Sequence, residues 1–167
     1  QKQLGEVFTP LSLVEEMLDK LPIEVWSNKD LRWLEPAGGF GNFIICVYKR
    51  LMEGLKNVEG LKNYKTRERH IKKNMLYYNE YNLKNVNVYK HIMTRGGNVS
   101  EKELNIHQGD YLSLDVKEYW GVEKFDVIVG NPPYQDVDNN GKLKKGGKNP
   151  LFFKFINKSL PMTNILL

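Results

Sequence analysis

The residues with the clearest chemical potential form a turn, Asn131-Pro132-Pro133-Tyr134, directly after the apolar run 125–129. A planar aromatic amine, such as N6 of adenine, is a poor nucleophile because its lone pair is delocalised into the ring. Two acceptors on its N–H groups, the Asn131 side-chain oxygen and the Pro132 carbonyl, would pull the nitrogen toward tetrahedral geometry. Prolines lack N–H donors and restrict the backbone, so they would fix both acceptors. The turn therefore predicts activation of a planar amine for attack on an electrophilic methyl group.

Tyr134 adds an aromatic ring to the same turn. Such a ring can stack on a nucleobase, and a base could reach this pocket only after leaving its duplex. The competing interpretation is a proline-stopped loop after a buried strand, which needs no ligand. The complete string from Phe125 to Tyr134 favours the catalytic interpretation.

A second candidate site is a glycine turn that contains Gly38, Gly39 and Gly41. Missing side chains would let a ligand approach the backbone and the N-terminal amides of the following helix. The dinucleotide spacing G-x-G-x-x-G is absent because position 44 is Ile44, which disfavours an NAD-dependent dehydrogenase. Glu35, just before the turn, would repel a pyrophosphate and attract a cationic amino group. The pocket therefore suits an adenosine joined to an amino acid better than a dinucleotide.

Two further acids, Glu80 and Asp110, follow later apolar runs. A carboxylate at the position of Glu80 can accept both hydroxyls of a ribose, and Asp110 could accept the exocyclic amine of an adenine. The separation of Glu35 and Glu80 is more than twice the roughly 20 residues usual between a glycine fingerprint and its acid. Residues 56–73 are therefore expected to be an insertion or an exposed helix. Each acid taken alone could also be an ordinary surface residue.

Strand-like and helix-like segments alternate along the chain and must position these residues. Thr9 and Pro10 predict the N-cap and the first turn of a helix that ends near Leu21. Further helices are expected after residue 42, over 83–93 and from 151 to 160, and strands over 31–34, 75–78, 104–108, 125–129 and from 164. This order predicts an α/β fold with an open, mainly parallel sheet and helices on both faces. Ligands of such sheets bind at the carboxyl ends of the strands.

Length and composition indicate one folded domain spanning residues 1–167. Hydrophobic residues make up 41% and charged residues 27% of the chain, which is typical of a folded protein. No apolar run approaches the roughly 18 residues that a membrane span requires, and the first residues carry no secretory pattern, so we expect a cytoplasmic protein. Cys46 is the single cysteine and the three histidines are scattered. We therefore expect neither a disulfide nor a metal site.

The net charge of +5 suits an anionic partner. Four lysines, interspersed with glycines, form a basic loop: Lys142, Lys144, Lys145 and Lys148. Such a loop could track phosphates with a salt-dependent affinity, and it could equally be a solvated loop. A second basic stretch lies between Lys62 and Lys73.

Together these motifs resemble the amino-methyltransferases that depend on S-adenosylmethionine, in particular the DNA adenine-N6 enzymes of restriction–modification systems. The resemblance implies a Rossmann-like class I methyltransferase fold, S-adenosylmethionine as cofactor and double-stranded DNA as substrate. Residues 5–10, Gly-Glu-Val-Phe-Thr-Pro, resemble the segment that holds the methionine end of the cofactor in this family, which implies a contact from Thr9.

The remaining site residues follow from the same resemblance. Asn131, Pro132, Pro133 and Tyr134 match the catalytic tetrapeptide of the family. The matching cofactor positions are Glu35, Pro36, Ala37, Gly39 and Gly41 in the glycine loop, Glu80 for the ribose and Asp110 for the adenine. Two residues depart from the pattern: Gly38 stands where a cysteine is common, and Phe40 where a small polar residue is common.

The family sheet has seven strands, whereas this sequence predicts four or five, so we expect the later strands to be missing. The resemblance also implies a separate target-recognition domain, which we expect to be missing as well. We expect either a fragment of a longer protein or a reduced relative. The same tetrapeptide could serve a glutamine amide in protein or a guanine amine in RNA. A non-catalytic module that binds cofactor or nucleic acid is a further alternative.

Overall fold

A five-stranded parallel sheet forms the centre of the protein. The computed structural model describes residues 8–134 and 150–167. The strands lie in the spatial order β3-β2-β1-β4-β5. Their bounds are β1 Trp33–Glu35, β2 Leu76–Glu80, β3 Asn105–Gln108, β4 Phe125–Ile128 and β5 Thr163–Leu166. The predicted open parallel sheet is therefore confirmed, including the strand near residue 164.

Six α-helices connect or flank these strands within the described ranges: α1 Leu11–Leu18, α2 Asn42–Gly54, α3 Tyr64–His70, α4 Leu83–Thr94, α5 Val116–Trp120 and α6 Leu151–Ser159. Helices α2, α4 and α6 lie where helices were predicted after residue 42, over 83–93 and from 151 to 160, so these three predictions are confirmed. Helix α5 was not predicted because five residues are too few to show a helical period. None of the helices in residues 8–134 and 150–167 is long and apolar enough to cross a bilayer.

The core divides into two clusters, one on each face of the sheet. Leu76 and Tyr78 of β2 contribute to the larger cluster, whereas Tyr77 between them points to the smaller one. This alternation is the two-residue period of a strand. Buried residues of α1, α2 and α4 complete the larger cluster, and Val116 of α5 and Phe155 of α6 belong to the smaller one. The prediction of helices on both faces is confirmed.

The start of α1 differs from the prediction. The helix begins at Leu11, and Pro10, with φ −57° and ψ 143°, occupies the N-cap position without a side-chain cap. The prediction that Thr9 caps the helix was wrong, because the extended backbone of Pro10 separates Thr9 from the first turn. The Thr9 hydroxyl instead contacts Asn131.

The stretch between β1 and β2 is tied into the fold by its own charged groups. Arg67 donates through Nη1 to the carbonyls of Leu61 and Lys62, at 2.8 and 3.0 Å. Lys72 and Glu68 form a buried ion pair at 2.6 Å. The stretch contains helix α3, in which Arg67 and Glu68 are buried and most of the other residues are exposed. It is therefore a partly exposed helix that packs against the domain through Arg67 and Glu68.

The strand order places a topological switch between β1 and β4. From β1 the chain crosses to β2 and then outward to β3, and it later returns to add β4 on the opposite side of β1. Such a switch leaves a crevice beyond the carboxyl ends of the two strands. Glu35 ends β1, and the turn that contains Asn131 follows β4. The two main predicted sites therefore meet at this crevice.

Candidate active site

The glycine turn lies between β1 and α2 and has a left-handed backbone at two positions. Gly39 has φ +54° and Gly41 has φ +85°, a region that residues with a Cβ rarely adopt. Gly41 is also the residue just before the first turn of α2. Gly38 donates its N–H to the carbonyl of Asn79 in β2 at 3.0 Å. The turn is thus held by β2 while it redirects the chain into α2.

Two stacked tyrosine rings, Tyr78 and Tyr89, pack against the glycine turn. The rings of Tyr78 and Tyr89 lie 3.9 Å apart between centroids. A Cβ at Gly38 would come within 2.1 Å of the Tyr78 ring, and one at Gly41 within 2.5 Å of the Tyr89 ring. The Tyr78 hydroxyl donates to the carbonyl of Gly39. Glycine at position 38 therefore accommodates the Tyr78 ring, which accounts for the first departure from the family pattern.

Glu35 lies at the base of the crevice and is 1% exposed. Its Oε2 accepts the N–H of Ile44 in the first turn of α2 at 3.0 Å. Burial raises the pKa of the Glu35 carboxyl to about 8, the N–H donors of Ile44 and Phe43 oppose that rise, and the nearby charge of Glu80 adds to it. The carboxyl therefore joins the end of β1 to the start of α2.

Glu80 closes the other side of the glycine turn. Its Oε2 accepts the N–H of Gly39 at 2.8 Å, and its Oε1 accepts the N–H of Asn82 at 2.7 Å. Asp110 has a different setting: it is exposed and accepts from the N–H of Leu112 at 3.0 Å and from the Ser113 hydroxyl at 3.1 Å. The structure thus joins Glu80 to the glycine turn and places Asp110 after β3, at the edge of the sheet.

The turn after β4 presents the Asn131 amide between two partners. Asn131 Nδ2 donates to Thr9 Oγ1 at 3.2 Å, and the Tyr134 hydroxyl donates to Asn131 Oδ1 at 2.9 Å. Tyr134 is 57% exposed, and its ring stacks on Phe152 of α6 with the centroids 5.6 Å apart. Both ends of the amide are therefore hydrogen-bonded, and the acceptor end faces the exposed tyrosine.

A single cavity collects several of the predicted residues. Its walls include Thr9, Glu35, Gly39 and Asn131. The ends of β1 and β4 are also joined directly, because the N–H of Val129 donates to the carbonyl of Leu34 at 2.9 Å. Residues predicted to contact the cofactor and the residue predicted to contact the target amine, Asn131, therefore line the same crevice. Residues 5–7 of the N-terminal motif and the basic loop from Lys142 to Lys148 lie outside the described residues.

The contacts of four residues around the glycine turn, Asn79, His107, Phe40 and Phe8, were not predicted from the sequence. Asn79, which is 2% exposed, donates to the carbonyl of Pro36 at 2.8 Å, and its Oδ1 lies 2.6 Å from Nδ1 of His107. Phe40 stacks on Phe8 with the ring centroids 4.2 Å apart, which gives the second departure from the family pattern a packing role. The position of Asn79 beside Glu80 at a strand end was the available sequence signal.

Comparisons with known proteins agree with this architecture. The chain is 27% identical to an uncharacterized adenine-specific methylase of Mycoplasma pneumoniae, over 94% of the chain and 52% of that protein. The fold is similar to the M protein of the type I restriction enzyme EcoKI, with a TM-score of 0.65, 15% identity and coverage of 95% of this chain and 32% of that one. A Listeria monocytogenes protein assigned as a class I S-adenosylmethionine-dependent methyltransferase gives a TM-score of 0.61, 16% identity and coverage of 98% and 45%.

These matches establish the fold as the Rossmann-like α/β fold of class I methyltransferases. The chain spans about half the length of the curated relative. The family model for N-6 DNA methylases matches residues 1–159. By that match, which includes both the glycine turn and the Asn131 turn, the chain belongs to the N-6 DNA methylase family.

Proposed function

We propose that this protein transfers a methyl group from S-adenosylmethionine to N6 of adenine in double-stranded DNA. The observation that carries the proposal is the Asn131 amide at the switch between β1 and β4, in one cavity with Glu35 and Gly39. The relatives named above, an adenine-specific methylase and a restriction-enzyme M protein, support adenine in DNA and the setting of a restriction–modification system.

The residues of the crevice fit this cofactor. The nearby charge of Glu80 adds to the burial that opposes ionisation of Glu35, and a cationic ligand would relieve this repulsion. The glycine turn leaves backbone accessible beside them. When bound, S-adenosylmethionine would supply an electrophilic methyl group on a positively charged sulfur. The residues that would hold it are Thr9, Glu35, Pro36, Ala37, Gly39, Gly41, Glu80 and Asp110.

Asn131 would act on the nucleophile. Its Oδ1 and the Pro132 carbonyl would each accept one N–H of the adenine amine, which localises the nitrogen lone pair toward the methyl carbon. The amine would replace the Tyr134 hydroxyl that now donates to Asn131 Oδ1. The Tyr134 ring, freed from this bond, would stack on the flipped base. Asn131 and Pro132 offer only neutral acceptors, so the proton released by the nitrogen leaves to solvent.

The proposal is tested by supplying cofactor labelled in its methyl group together with unmethylated duplex DNA, structured RNA or a glutamine-containing protein substrate. We expect label in the DNA, recovered as N6-methyladenine after digestion to nucleosides. Label in RNA or protein alone would contradict the DNA assignment, and cofactor binding without transfer to any of the three would indicate a non-catalytic module.

Asn131→Ala should reduce methyl transfer by about 100-fold or more, because removal of one preorganised polar group at a reacting centre typically costs that much. Cofactor binding, measured by calorimetry, should change little. The matched control is Asn87→Ala, since Asn87 is an exposed asparagine on α4. Equal product from wild type and Asn131→Ala would refute the proposed role of Asn131.

A further inference from the structure

The Thr9 hydroxyl is the partner of the Asn131 amide on the side away from Tyr134. We propose that Thr9 is a positioning residue, which keeps Asn131 Oδ1 turned toward the incoming amine. This inference rests on the proposed function and extends it to a residue 122 positions away in the chain.

The need for such a partner follows from the asymmetry of the asparagine side chain. Its two ends are similar in size, yet the oxygen accepts hydrogen bonds and the NH₂ group donates them. Rotated by half a turn, Asn131 would present donors to the N–H groups of the target amine and could not activate it. With Nδ2 held by Thr9 Oγ1 at 3.2 Å, Oδ1 faces the position now filled by the Tyr134 hydroxyl.

Thr9 is itself fixed in position by burial and by contacts of its neighbours, so its hydroxyl can orient the Asn131 amide. It is 8% exposed, and its carbonyl accepts the N–H of the Asn42 side chain at 2.9 Å. Asn42 is the first residue of α2, immediately after the glycine turn. The preceding residue, Phe8, stacks on Phe40 of the same turn with an interplanar angle of 5°. Both sides of Thr9 are therefore anchored to the segment that follows β1, while its hydroxyl reaches the segment that follows β4.

A positioning role and a cofactor contact predict different kinetics. Loss of a cofactor contact raises the dissociation constant of S-adenosylmethionine and its KM. Loss of amide orientation lowers kcat and leaves cofactor affinity in place, because the interaction matters only when the target amine reacts.

The decisive variants are Thr9→Val, which keeps the shape and removes the hydroxyl, and Thr9→Ser, which keeps the hydroxyl. Thr9→Val should lower kcat about tenfold when kcat is measured at saturating cofactor, the effect of one hydrogen bond of ordinary strength. Calorimetry measures any separate change in cofactor affinity, since Thr9 is also among the residues proposed to hold the cofactor. Thr9→Ser should restore most of kcat. An unchanged kcat in Thr9→Val, or a loss found only in cofactor affinity, would overturn the proposal.

Two additional measurements separate this proposal from a general loss of structure. Added to Asn131→Ala, Thr9→Val should cause no further loss, since both act through one group. The side-chain NH₂ resonance of Asn131, identified by its disappearance in Asn131→Asp, should shift in Thr9→Val and return in Thr9→Ser. This spectrum needs no turnover, so it tests the contact even if the wild-type protein transfers no methyl group. If the chemical shift of this NH₂ group is the same in Thr9→Val as in the wild type, the positioning role is excluded.

Discussion

Among single residues, Glu35 combines a contact that supports the fold with a proposed role in cofactor binding. Its carboxyl is almost fully buried and serves the start of α2 through the N–H of Ile44. Burial raises its pKa from 4.5 to about 8. The folded protein therefore binds this proton more tightly than the unfolded chain does. Between these two pKa values the free energy of unfolding falls as the pH rises, and the loss is complete above pH 8.

Glu35→Gln should therefore make the cofactor-free protein more stable than the wild type at about pH 8.5, and leave it nearly equal at about pH 4. The neutral amide avoids the cost of a buried charge, and its oxygen can still accept the Ile44 N–H. Urea unfolding at several pH values measures the difference. The control is Glu59→Gln, whose side chain is 92% exposed. A stability gain that does not grow with pH would contradict the assignment, and under the proposed function the same variant should bind cofactor more weakly.

At the scale of elements, the glycine turn packs its small residues against large side chains of β2 and α4. Gly38 faces the Tyr78 ring, and Gly41 faces Tyr89. A relative with a larger residue at position 38 needs a smaller group or a shifted ring at the position of Tyr78. The unusual glycine and the tyrosine therefore form one packing unit.

Gly38→Ala should destabilise the protein by about 1–3 kcal/mol, the usual cost of forcing a methyl group into a filled space. The added carbon would lie 2.1 Å from the Tyr78 ring unless the ring moves. Tyr78→Leu should cost less in the Gly38→Ala background than in the wild type. The matched control is Tyr77→Leu, because Tyr77 faces the opposite side of the sheet. Strictly additive free energies for Gly38 and Tyr78 would show that the two residues do not interact.

The elements themselves could be predicted from the sequence to the extent that they carry a hydrophobic period. Helix α2 and strand β4 were predicted because their apolar residues recur at helical spacing or form a continuous buried run. Helix α5 was missed because it has five residues. The partners of Glu35 and Glu80 could not be predicted, since both are backbone N–H groups brought close only by tertiary folding. The sequence shows a candidate acid but not the amide that it will meet.

For the molecule as a whole, the distribution of charge is more informative than the total of +5. The basic stretch before β2 is largely neutralised: Lys72 pairs with Glu68 at 2.6 Å, and Arg69 and Lys73 both approach Glu103. Such charges contribute little to the attraction of a polyanion. The lysines from Lys142 to Lys148 are the better candidates for binding phosphates because they closely follow the Asn131 turn in the chain.

Replacement of Lys144, Lys145 and Lys148 by alanine should flatten the salt dependence of DNA affinity, by up to about 0.9 in the logarithmic slope for each phosphate that is no longer neutralised. Binding isotherms over a range of salt concentrations measure this slope. The control variant replaces Lys62, Lys65 and Lys73, which changes the net charge equally. Equal slopes in wild type and the loop variant would assign these lysines to a solvated loop.

The parallel pairing of β4 with β1 also limits when during folding the Asn131 site can assemble. The pairing of Val127 with Trp33 closes a very long loop, and closures of this kind are slow. Until β4 is inserted, Asn131 has no neighbouring Thr9 to orient it. A molecule in which β4 has not paired with β1 consequently lacks an oriented acceptor, so under the proposed function methyl transfer is reserved for chains that have completed their sheet.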